Sequence, residues 1–463
     1  MTESDQTSVQ AASRDGRTFS FGDGGGVPML VGDIVVLQAA DRAPQLGQVL
    51  EQGSAAGQEA GGSGLLIGVI GEDGELRRTL GGPFASASAQ PASATHLEAL
   101  QRSSAASLAI GTWSSGGVEA PARLRAQGFG RHTFLCGQSG SGKTYALGVL
   151  LEQLLLNTEL RMVVLDPNAD FVRLGQARPE APADAADRLA KTDVRVLGAN
   201  ATGAEPLRMR FATMPRQAQA AVLRLDPLAD RGEYNHFLHM MDEAGLQEVG
   251  QVLQHLRQGG PDGQSLAQRL ENLGLPEWEV WAGEHPSAAE VVQSGARLTV
   301  LDLSGFHSPH EPHAVSLDLI EALWADRESR TPTLIVLDEA HNLCPAEPTG
   351  PIQVALVERL IQIAAEGRKY GLWLLLSTQR PSKIHPQVLS QCDNLALMRM
   401  NSPGDIAELA EVFGFAPLAM LRSSKFFVQG EALVAGGFVP VPGIIRMGAR
   451  LTYEGGSDVP VPV

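Results

Sequence analysis

The stretch from Gly137 to Thr144 limits what this chain can fold into more than any other part of the sequence. It follows the pattern G-x-x-x-x-G-K-[ST], in which a glycine-rich backbone curls so that its N–H groups face phosphate oxygens. The residues from His132 to Cys136 predict a short buried strand before it, and leucines at helical spacing predict a helix over residues 145–157. Because a strand, a loop and a helix in this order are the context of phosphate-binding loops, the stretch predicts a nucleoside triphosphate site.

Two residues of the predicted loop have specific roles. Lys143 is expected to reach the β- and γ-phosphates, and Thr144 is expected to hold a Mg²⁺ ion. The residues predicted to bind the nucleotide at this loop are Gly137, Gln138, Ser139, Gly140, Ser141, Gly142, Lys143 and Thr144.

Buried strands alternate with helical patterns in the part of the chain that follows. The apolar runs that predict strands are residues 161–165, 297–303, 333–337 and 372–376. Residues from about 213 to 295 are dominated by helical patterns, which predict a helical insertion. Alternation of this kind indicates an α/β fold with a parallel sheet covered by helices on both faces, and we assign it to residues 119–445.

The segment before residue 119 has a different character. Residues 1–26 are polar and glycine-rich, which predicts a disordered N-terminus. Three short β-rich runs separated by turn residues predict a small barrel or sandwich, namely residues 31–37, 47–50 and 65–70. Residues 82–118 are rich in Ala, Ser and Gly, and within them residues 84–95 are predicted to be a loop or linker. We therefore assign residues 27–118 to a small β domain and this linker.

The charge, the cysteine content and the hydrophobicity of the chain bear on its partners and its cellular location. The net charge is −16 and the pI about 5.2, so nucleic acid is expected to bind only through a local basic surface. The three cysteines are scattered, without metal or disulfide spacing, which suits a reducing compartment. The N-terminus has no signal pattern, and no apolar run approaches the roughly 18 residues that span a membrane. These features predict a cytoplasmic protein without a membrane partner.

Two carboxylates follow directly on the strand predicted over residues 333–337. On a parallel strand Asp338 and Glu339 emerge at the C-terminal edge of the sheet, where ligands bind in such folds. Asp338 is predicted to hold Mg²⁺, and Glu339 is predicted to be the general base that polarises the attacking water.

Two other predicted strands also end in polar side chains. Gln379 follows residues 372–376 and is predicted to contact the γ-phosphate or the attacking water, the alternative being a simple polar strand end. Asp166 and Asp170 follow residues 161–165 at the same edge and are predicted to tune Mg²⁺ or the water. Helix capping by Asp170 is the alternative.

Arg368 lies in the turn Glu366-Gly-Arg-Lys-Tyr-Gly371, between a predicted helix and the strand that leads to Gln379. This turn opens at the edge of the sheet opposite to the nucleotide, so Arg368 is badly placed for its own active site. In a ring it would reach a neighbouring subunit's site as an arginine finger in trans. A basic surface turn is the alternative.

Five short motifs follow the phosphate loop in one order. They are Asp166-Pro-Asn-Ala-Asp-Phe171, Asp338-Glu-Ala-His341, Glu366-Gly-Arg-Lys-Tyr-Gly371, Ser377-Thr-Gln-Arg-Pro381 and Ser390-Gln-Cys392. This combination resembles the HerA branch of the HerA/FtsK superfamily of hexameric DNA-pumping ATPases, over most of residues 27–456. The resemblance implies a RecA-like P-loop ATPase core after a small N-terminal HAS-like β-barrel. It also implies a homohexameric ring, ATP and Mg²⁺ between subunits, and double-stranded DNA in the central channel.

The resemblance extends to individual residues. It implies functional roles for Lys143, Asp166, Glu339, Arg368 and Gln379. Residues 446–463 resemble the C-terminal tail that braces the adjacent subunit, and Arg450 in this tail is expected to contact nucleotide. Arg380 and Lys383 are candidates for contacts to DNA phosphates, although solvated loop charges are the more common outcome.

The biological role stays open between several alternatives. Motors of this type feed DNA to a nuclease in end processing, and related rings act with effector enzymes in phage defence. A secretion or conjugation motor shares the core, and an ATP-gated ring that scaffolds an effector enzyme is a third alternative. The complete set of catalytic residues argues against an inactive scaffold.

Overall fold

The computed structural model describes residues 9–22, 29–53, 61–200, 204–243 and 249–456, with the backbone alone for residues 241–243. These residues form two compact units. The first unit is drawn from Met1–Phe129, Leu135–Gln153 and Asp393–Ala449, and the second from Gly130–Phe134, Leu154–Cys392 and Arg450–Val463.

The strands, in chain order, are β1 (Val9–Ser13), β2 (Thr18–Gly22), β3 (Ile34–Gln38), β4 (Gln45–Gly53), β5 (Gly61–Ile70), β6 (Leu76–Arg77), β7 (Phe84–Pro91), β8 (Leu108–Ser115), β9 (Val118–Leu124), β10 (His132–Cys136), β11 (Arg161–Asp166), β12 (Val194–Gly198), β13 (Glu205–Pro206), β14 (Leu298–Asp302), β15 (Thr333–Leu337), β16 (Leu372–Thr378), β17 (Cys392–Leu397), β18 (Glu431–Gly436) and β19 (Gly443–Met447).

The α-helices are α1 (Ala94–Ser103), α2 (Lys143–Asn157), α3 (Ala183–Ala190), α4 (Arg216–Val222), α5 (Arg231–Glu243), α6 (Val249–Arg257), α7 (Pro261–Asn272), α8 (Ala288–Gln293), α9 (Glu311–Ala325), α10 (Pro351–Glu366), α11 (Pro386–Leu389), α12 (Pro403–Val412) and α13 (Leu418–Ser423). Within the described part of the chain, none of these helices has both the length and the apolar character needed to cross a membrane.

The first seven strands form one antiparallel sheet in the first unit, in the order β2-β1-β7-β3-β4-β5-β6. A further pairing of β2 with β5 closes six of them into a barrel, and β6 adds to β5 at its edge. Inward-facing residues fill the barrel around Phe19. Gly64 leaves room for that ring, because a Cβ there would lie 2.5 Å from Phe19 and 2.1 Å from the backbone oxygen of Gln48. The prediction of a small N-terminal β-barrel is confirmed.

Two predictions about this region are wrong. Residues 9–22, within the segment predicted to be disordered, form β1 and β2, and their pairing completes the barrel. Residues 84–95, predicted to be a linker, form β7 and the start of α1. The Ala/Ser composition of β7 concealed an alternating strand, in which Ala87 and Ala89 are buried between β1 and β3. Small inward side chains suit a narrow barrel, whose interior has little room.

The first unit contains a second group of antiparallel strands, in the order β17-β18-β19-β8-β9. The hairpin of β8 and β9 pairs with β19, with Trp113 opposite Ile445. A domain boundary at residue 119 is therefore wrong, since it would divide this hairpin; the sheet begins at Leu108. Two hydrogen bonds fix the hairpin to the barrel: Ser115 Oγ accepts the N–H of Ile34, and Asp33 Oδ1 accepts the N–H of Gly116, each at 2.7 Å.

The second unit is built on strands in the order β13-β12-β14-β11-β15-β16-β10. The neighbouring pairs from β13 to β16 run parallel, and the central strands are buried on both faces. This burial explains their uninterrupted Val, Ile and Leu sequences. Between β13 and β14 the described residues form the helices α4 to α8, in the region of the predicted insertion.

Candidate functional site

The predicted phosphate loop lies in the first unit, directly before α2, whose first residue is Lys143. Gly140 and Gly142 have φ angles of 71° and 92°, so the backbone makes the left-handed turns for which the motif requires glycine. The side chain of Lys143 is buried, whereas Ser139 and Gly140 are exposed. The loop thus presents its tip to solvent at the N-terminus of a 15-residue helix, where anions bind favourably.

Backbone hydrogen bonds within the first unit hold this loop. The N–H of Gln138 donates to the carbonyl oxygen of Arg399 at 2.9 Å. The N–H of Gly430 donates to the carbonyl oxygen of Ser141 at 3.1 Å. The segments after β17 and before β18 therefore fix the shape of the loop, and the local sequence of the loop does not act alone.

The second unit places the predicted catalytic carboxylates at the C-terminal edge of its sheet. Leu337 at the end of β15 lies opposite Leu376 of β16. Asp338 and Glu339 follow at that level and are buried, with 0% and 7% of their surface exposed. The position agrees with the one expected from the sequence.

Three consecutive side chains at the end of β16 each contact one polar side chain of the Asp338–His341 motif. The pairs are Ser377 Oγ with Asp338 Oδ1 at 2.7 Å, Thr378 Oγ1 with His341 Nδ1 at 3.1 Å, and Gln379 Nε2 with Glu339 Oε1 at 2.8 Å. The hydroxyl of Ser377 and the amide of Gln379 donate to the carboxylates. Sequence reasoning assigned Gln379 and the carboxylates but missed Ser377, Thr378 and His341. A signal was present, since two adjacent strand ends carry three matching polar residues each.

Glu339 has an unusual backbone conformation. Its φ angle is 41°, in the left-handed region that non-glycine residues avoid at a cost of roughly 1–2 kcal/mol. Its other carboxylate oxygen, Oε2, lies 3.3 Å from Nδ1 of His341. The strain and the two contacts aim the carboxylate, as is common for residues at functional sites.

The carboxylate of Asp166 accepts hydrogen bonds from the backbone of the loop that follows β11. Its Oδ1 accepts the N–H groups of Asn168 and Asp170 at 3.3 and 3.1 Å, and its Oδ2 accepts that of Phe171 at 2.7 Å. Burial raises the pKa of the Asp166 carboxyl to about 7, against the lowering by the N–H groups of Phe171 and Asp170. The described contacts of Asp166 thus organise the backbone of residues 168–171.

Asp170 caps no helix in the described chain, because α3 begins only at Ala183, so the helix-capping alternative is wrong. Instead, one carboxylate oxygen from each of Asp166, Asp170 and Asp338 lies within 4.8 Å of the others. Hard oxygen donors at this spacing fit Mg²⁺, which binds through one or two carboxylates and several waters. Asp338 and Asp170 fit this role better than Asp166, whose oxygens already accept N–H groups.

The two predicted arginines lie at different places in the second unit. Arg368 is part of the 3₁₀ turn Gly367–Tyr370, which precedes β16 and so lies at the opposite edge of the sheet from Glu339. Arg450 is buried in its own chain, with its guanidinium 5.7 Å from the centre of the Phe171 ring. The nucleotide contact expected of Arg450 stays a prediction, and the contacts described for this side chain are intramolecular.

Arg380 and Lys383, the candidate DNA contacts, are exposed in the loop that follows β16. The N–H of Arg380 donates to Thr378 Oγ1 at 3.0 Å, and the carbonyl oxygen of Lys383 accepts the N–H of Ala346 at 2.8 Å. The loop is therefore fixed both to the end of β16 and to the segment after the carboxylate motif.

Comparison with known proteins shows to which family part of this chain is similar. Residues 108–252 match the family described as the helicase HerA central domain. The chain is 31% identical over 131 residues to a probable DNA double-strand break repair helicase HerA of Methanocaldococcus jannaschii, covering 28% of this chain and 25% of the relative. Its residues 108–252 therefore resemble the HerA branch of the HerA/FtsK-type ATPases. A DNA double-strand break repair helicase HerA of Sulfurisphaera tokodaii is 27% identical over 170 residues, or 35% of this chain and 34% of that protein.

These matches span a quarter to a third of the length of the relatives. A solved structure, VirB4 of Thermoanaerobacter pseudethanolicus, superposes with a TM-score of 0.52 at 14% identity, over 74% of this chain and 97% of that one. This likeness concerns the fold, and it confirms the predicted RecA-like P-loop core. The chain thus combines a RecA-like P-loop fold with a segment that is similar to the HerA helicases.

Proposed function

We propose that this chain is a HerA/FtsK-type ATPase and a translocase that works as a hexameric ring on double-stranded DNA. The observation that carries the proposal is the set of side-chain pairs between the ends of β15 and β16, centred on Glu339 and Gln379. An inactive scaffold would have no need for a buried, strained and hydrogen-bonded carboxylate at this edge. The relatives named as DNA repair helicases supply the choice of DNA as substrate.

In the proposed reaction Glu339 accepts a proton from the water that attacks the γ-phosphate of ATP. Gln379 orients that carboxylate and, through it, the water. Lys143 neutralises charge on the β- and γ-phosphates. Asp338 and Asp170 would hold Mg²⁺, which supplies charge neutralisation at the phosphates when it is bound.

The ring is proposed because Arg368 lies at the edge away from the carboxylates of its own chain. In a closed ring with heterologous interfaces the same arginine can face the nucleotide of the next subunit. A ring of six subunits of 49.0 kDa has a mass of roughly 290 kDa by this symmetry.

Duplex DNA is proposed to pass through the ring, with Arg380 and Lys383 contacting phosphates. Because the net charge of the chain is −16, DNA is expected to bind only where basic side chains are concentrated locally, as in this loop. A nuclease or another effector enzyme is the proposed protein partner, docked through the N-terminal barrel, and DNA end processing and phage defence are both roles for such a pair.

The test measures ATP hydrolysis with and without linear duplex DNA, together with the mass of the particle by light scattering. We expect DNA to raise the hydrolysis rate and the mass to correspond to six chains. A protein that stays monomeric with ATP and DNA present would refute the ring, and hydrolysis that DNA leaves unchanged would refute DNA as the substrate. Glu339→Gln serves as the control for contaminating ATPases.

A further inference from the structure

Side chains connect two parts of the second unit to which the proposed function gives different roles, one in hydrolysis and one in DNA binding. One part is the carboxylate of Glu339. The other is the loop that follows β16 and carries Arg380 and Lys383. Between them stand His341 and Thr378, for which neither the family match nor the sequence analysis assigns a role.

The connection is a short chain of contacts. Glu339 Oε2 lies 3.3 Å from His341 Nδ1, and that nitrogen lies 3.1 Å from Thr378 Oγ1. The same hydroxyl oxygen accepts the backbone N–H of Arg380 at 3.0 Å. No more than two side chains therefore separate the proposed general base from the backbone of a proposed DNA contact.

The side chains that make this connection are largely shielded from water. Thr378 is fully buried, and the side chain of His341 is 20% exposed. Water therefore has little access to the hydroxyl of Thr378, and a displaced hydrogen bond there is not readily replaced by one to solvent. A movement of the Arg380 backbone must either break the bond to Thr378 or move that side chain.

The loop that follows β16 is also attached to the segment that follows the Asp338–His341 motif. Lys383 accepts the N–H of Ala346 through its carbonyl oxygen, and Pro345 forms an isolated bridge with Ile384. The segment that contacts Lys383 begins only a few residues after His341. A force on the loop thus reaches the Asp338–His341 motif from two directions, through Thr378 and along this segment.

We propose that His341 and Thr378 are positioning residues that link the orientation of the Glu339 carboxylate to the binding of a DNA phosphate at Arg380 and Lys383. The link rests on the proposed function, since it assumes both the base and the DNA contact. A phosphate that draws the loop outward moves the N–H of Arg380, the hydroxyl of Thr378 follows, and the contact between His341 and Glu339 changes. DNA thereby alters hydrolysis although Arg380 itself need not touch the nucleotide.

The experiment measures the ratio of ATP hydrolysis with linear duplex DNA to hydrolysis without it. Thr378→Val keeps the shape of the side chain and removes the hydroxyl, whereas Thr378→Ser retains the hydroxyl. We expect Thr378→Val to lower the ratio by about five-fold or more, the lower end of typical coupling between two sites. Thr378→Ser should keep the ratio of the parent.

Thr299→Val is the matched control. Thr299 is also buried in a parallel strand of the same sheet, and its hydroxyl has no hydrogen-bond partner among the described residues. This variant tests whether loss of a buried hydroxyl from the sheet is enough to change the ratio, and we expect no change.

His341→Asn gives a second, independent reading, since it changes the other member of the chain of contacts. If both residues act through one connection, the double variant with Thr378→Val should lower the ratio no further than either single variant. Independent effects that multiply would contradict the link, as would a Thr378→Val protein with the parent's ratio.

If DNA does not stimulate the parent, the proposed DNA substrate fails and the link with it. A stimulated parent with an unchanged Thr378→Val ratio refutes the link alone.

Discussion

The side-chain amide of Gln379 donates a 2.8 Å hydrogen bond to the carboxylate of Glu339. This bond occupies one of the two oxygens of the proposed general base. In the proposed reaction Gln379 would thus set the direction in which Glu339 accepts a proton.

The first prediction concerns Glu339 itself. Glu339→Gln keeps the size of the side chain but cannot accept a proton from water. ATP binding should therefore persist, while the hydrolysis rate falls by about 10²- to 10⁴-fold, the range for loss of a general base. Nucleotide binding by fluorescence titration and phosphate release by a coupled assay measure the two properties.

Glu347→Gln is the matched control, because Glu347 is an exposed glutamate in the segment after the same motif. It should retain the parent's rate. Near-parental hydrolysis by Glu339→Gln would show that another group activates the water.

The second prediction concerns the metal. Asp338→Asn replaces one charged oxygen donor of the carboxylate cluster by a neutral amide. We expect the Mg²⁺ concentration for half-maximal hydrolysis to rise by about 10- to 100-fold, as for other losses in the surroundings of a bound metal. A Mg²⁺ titration of the ATPase rate measures this shift.

Asp302→Asn is the control for a buried carboxylate at the same edge of the sheet. Asp302 ends β14, and its Oδ1 accepts the N–H and the hydroxyl of Ser304 at 2.9 and 2.6 Å, so this oxygen stabilises the local turn. An equal Mg²⁺ shift in both variants would mean that general disturbance of the edge, and not loss of a ligand, causes the effect.

The third prediction concerns Asp318 on α9, far along the chain from the motifs. Burial raises the pKa of this carboxyl from its ordinary value of 3.8 to about 7, and Oδ2 has no hydrogen-bond partner among the described residues. The folded state therefore prefers the protonated form. The stability that this preference contributes is complete below pH 3.8 and is lost as the pH rises through about 7.

Asp318→Asn removes this ionisation. Relative to the parent, the variant should gain on the order of 1 kcal/mol of stability between pH 6 and pH 8.5, at roughly 1.4 kcal/mol per pKa unit. Melting temperatures of the parent and the variant at the two pH values measure the gain, and both values avoid the pI near 5.2. Asp187→Asn, on the exposed face of α3, should show no such dependence. A constant difference between Asp318→Asn and the parent would contradict the raised pKa.

The sequence predicted the parts of the fold that depend on local pattern. The central strands of the second unit are apolar from end to end, and the phosphate loop needs glycine at Gly140 and Gly142 for positive φ angles. β7 escaped prediction because Ala and Ser carry a weak hydrophobic signal even when they alternate. Its strand character comes from pairing with β1 and β3, which are distant in sequence.

The site was predictable to a similar extent. Asp338 and Glu339 were found because a carboxylate pair at the end of a buried strand is a local signal. The contact of His341 with Thr378 depends on the register between β15 and β16. The sequence of one parallel strand alone does not determine this register. The role of Asp166 was also hidden, since its partners are backbone N–H groups, which every residue type but proline provides.

The last prediction concerns Arg368, which precedes β16 while Gln379 follows it. The two residues therefore lie at opposite edges of one sheet, and in the proposed ring Arg368 would assist hydrolysis at the site of a neighbouring subunit. Arg368→Ala should bind ATP and form rings, yet hydrolyse ATP about 10³- to 10⁵-fold more slowly, the range for loss of an arginine finger. Lys369→Ala, the adjacent exposed cation, is the control and should keep the parent's rate.

Mixed rings test the trans geometry directly. Arg368→Ala and Lys143→Ala subunits should each be inactive alone, because one lacks the finger and the other lacks the phosphate-loop lysine. In a mixed ring some interfaces combine an intact phosphate loop from one subunit with an intact arginine from the next, so hydrolysis should partly return. Phosphate release after subunit exchange, with mixing verified by mass spectrometry of the intact rings, measures this rescue. Normal turnover by Arg368→Ala would refute the assignment, failure of that variant to form rings would make the arginine structural, and verified mixed rings without activity would contradict independent sites completed in trans.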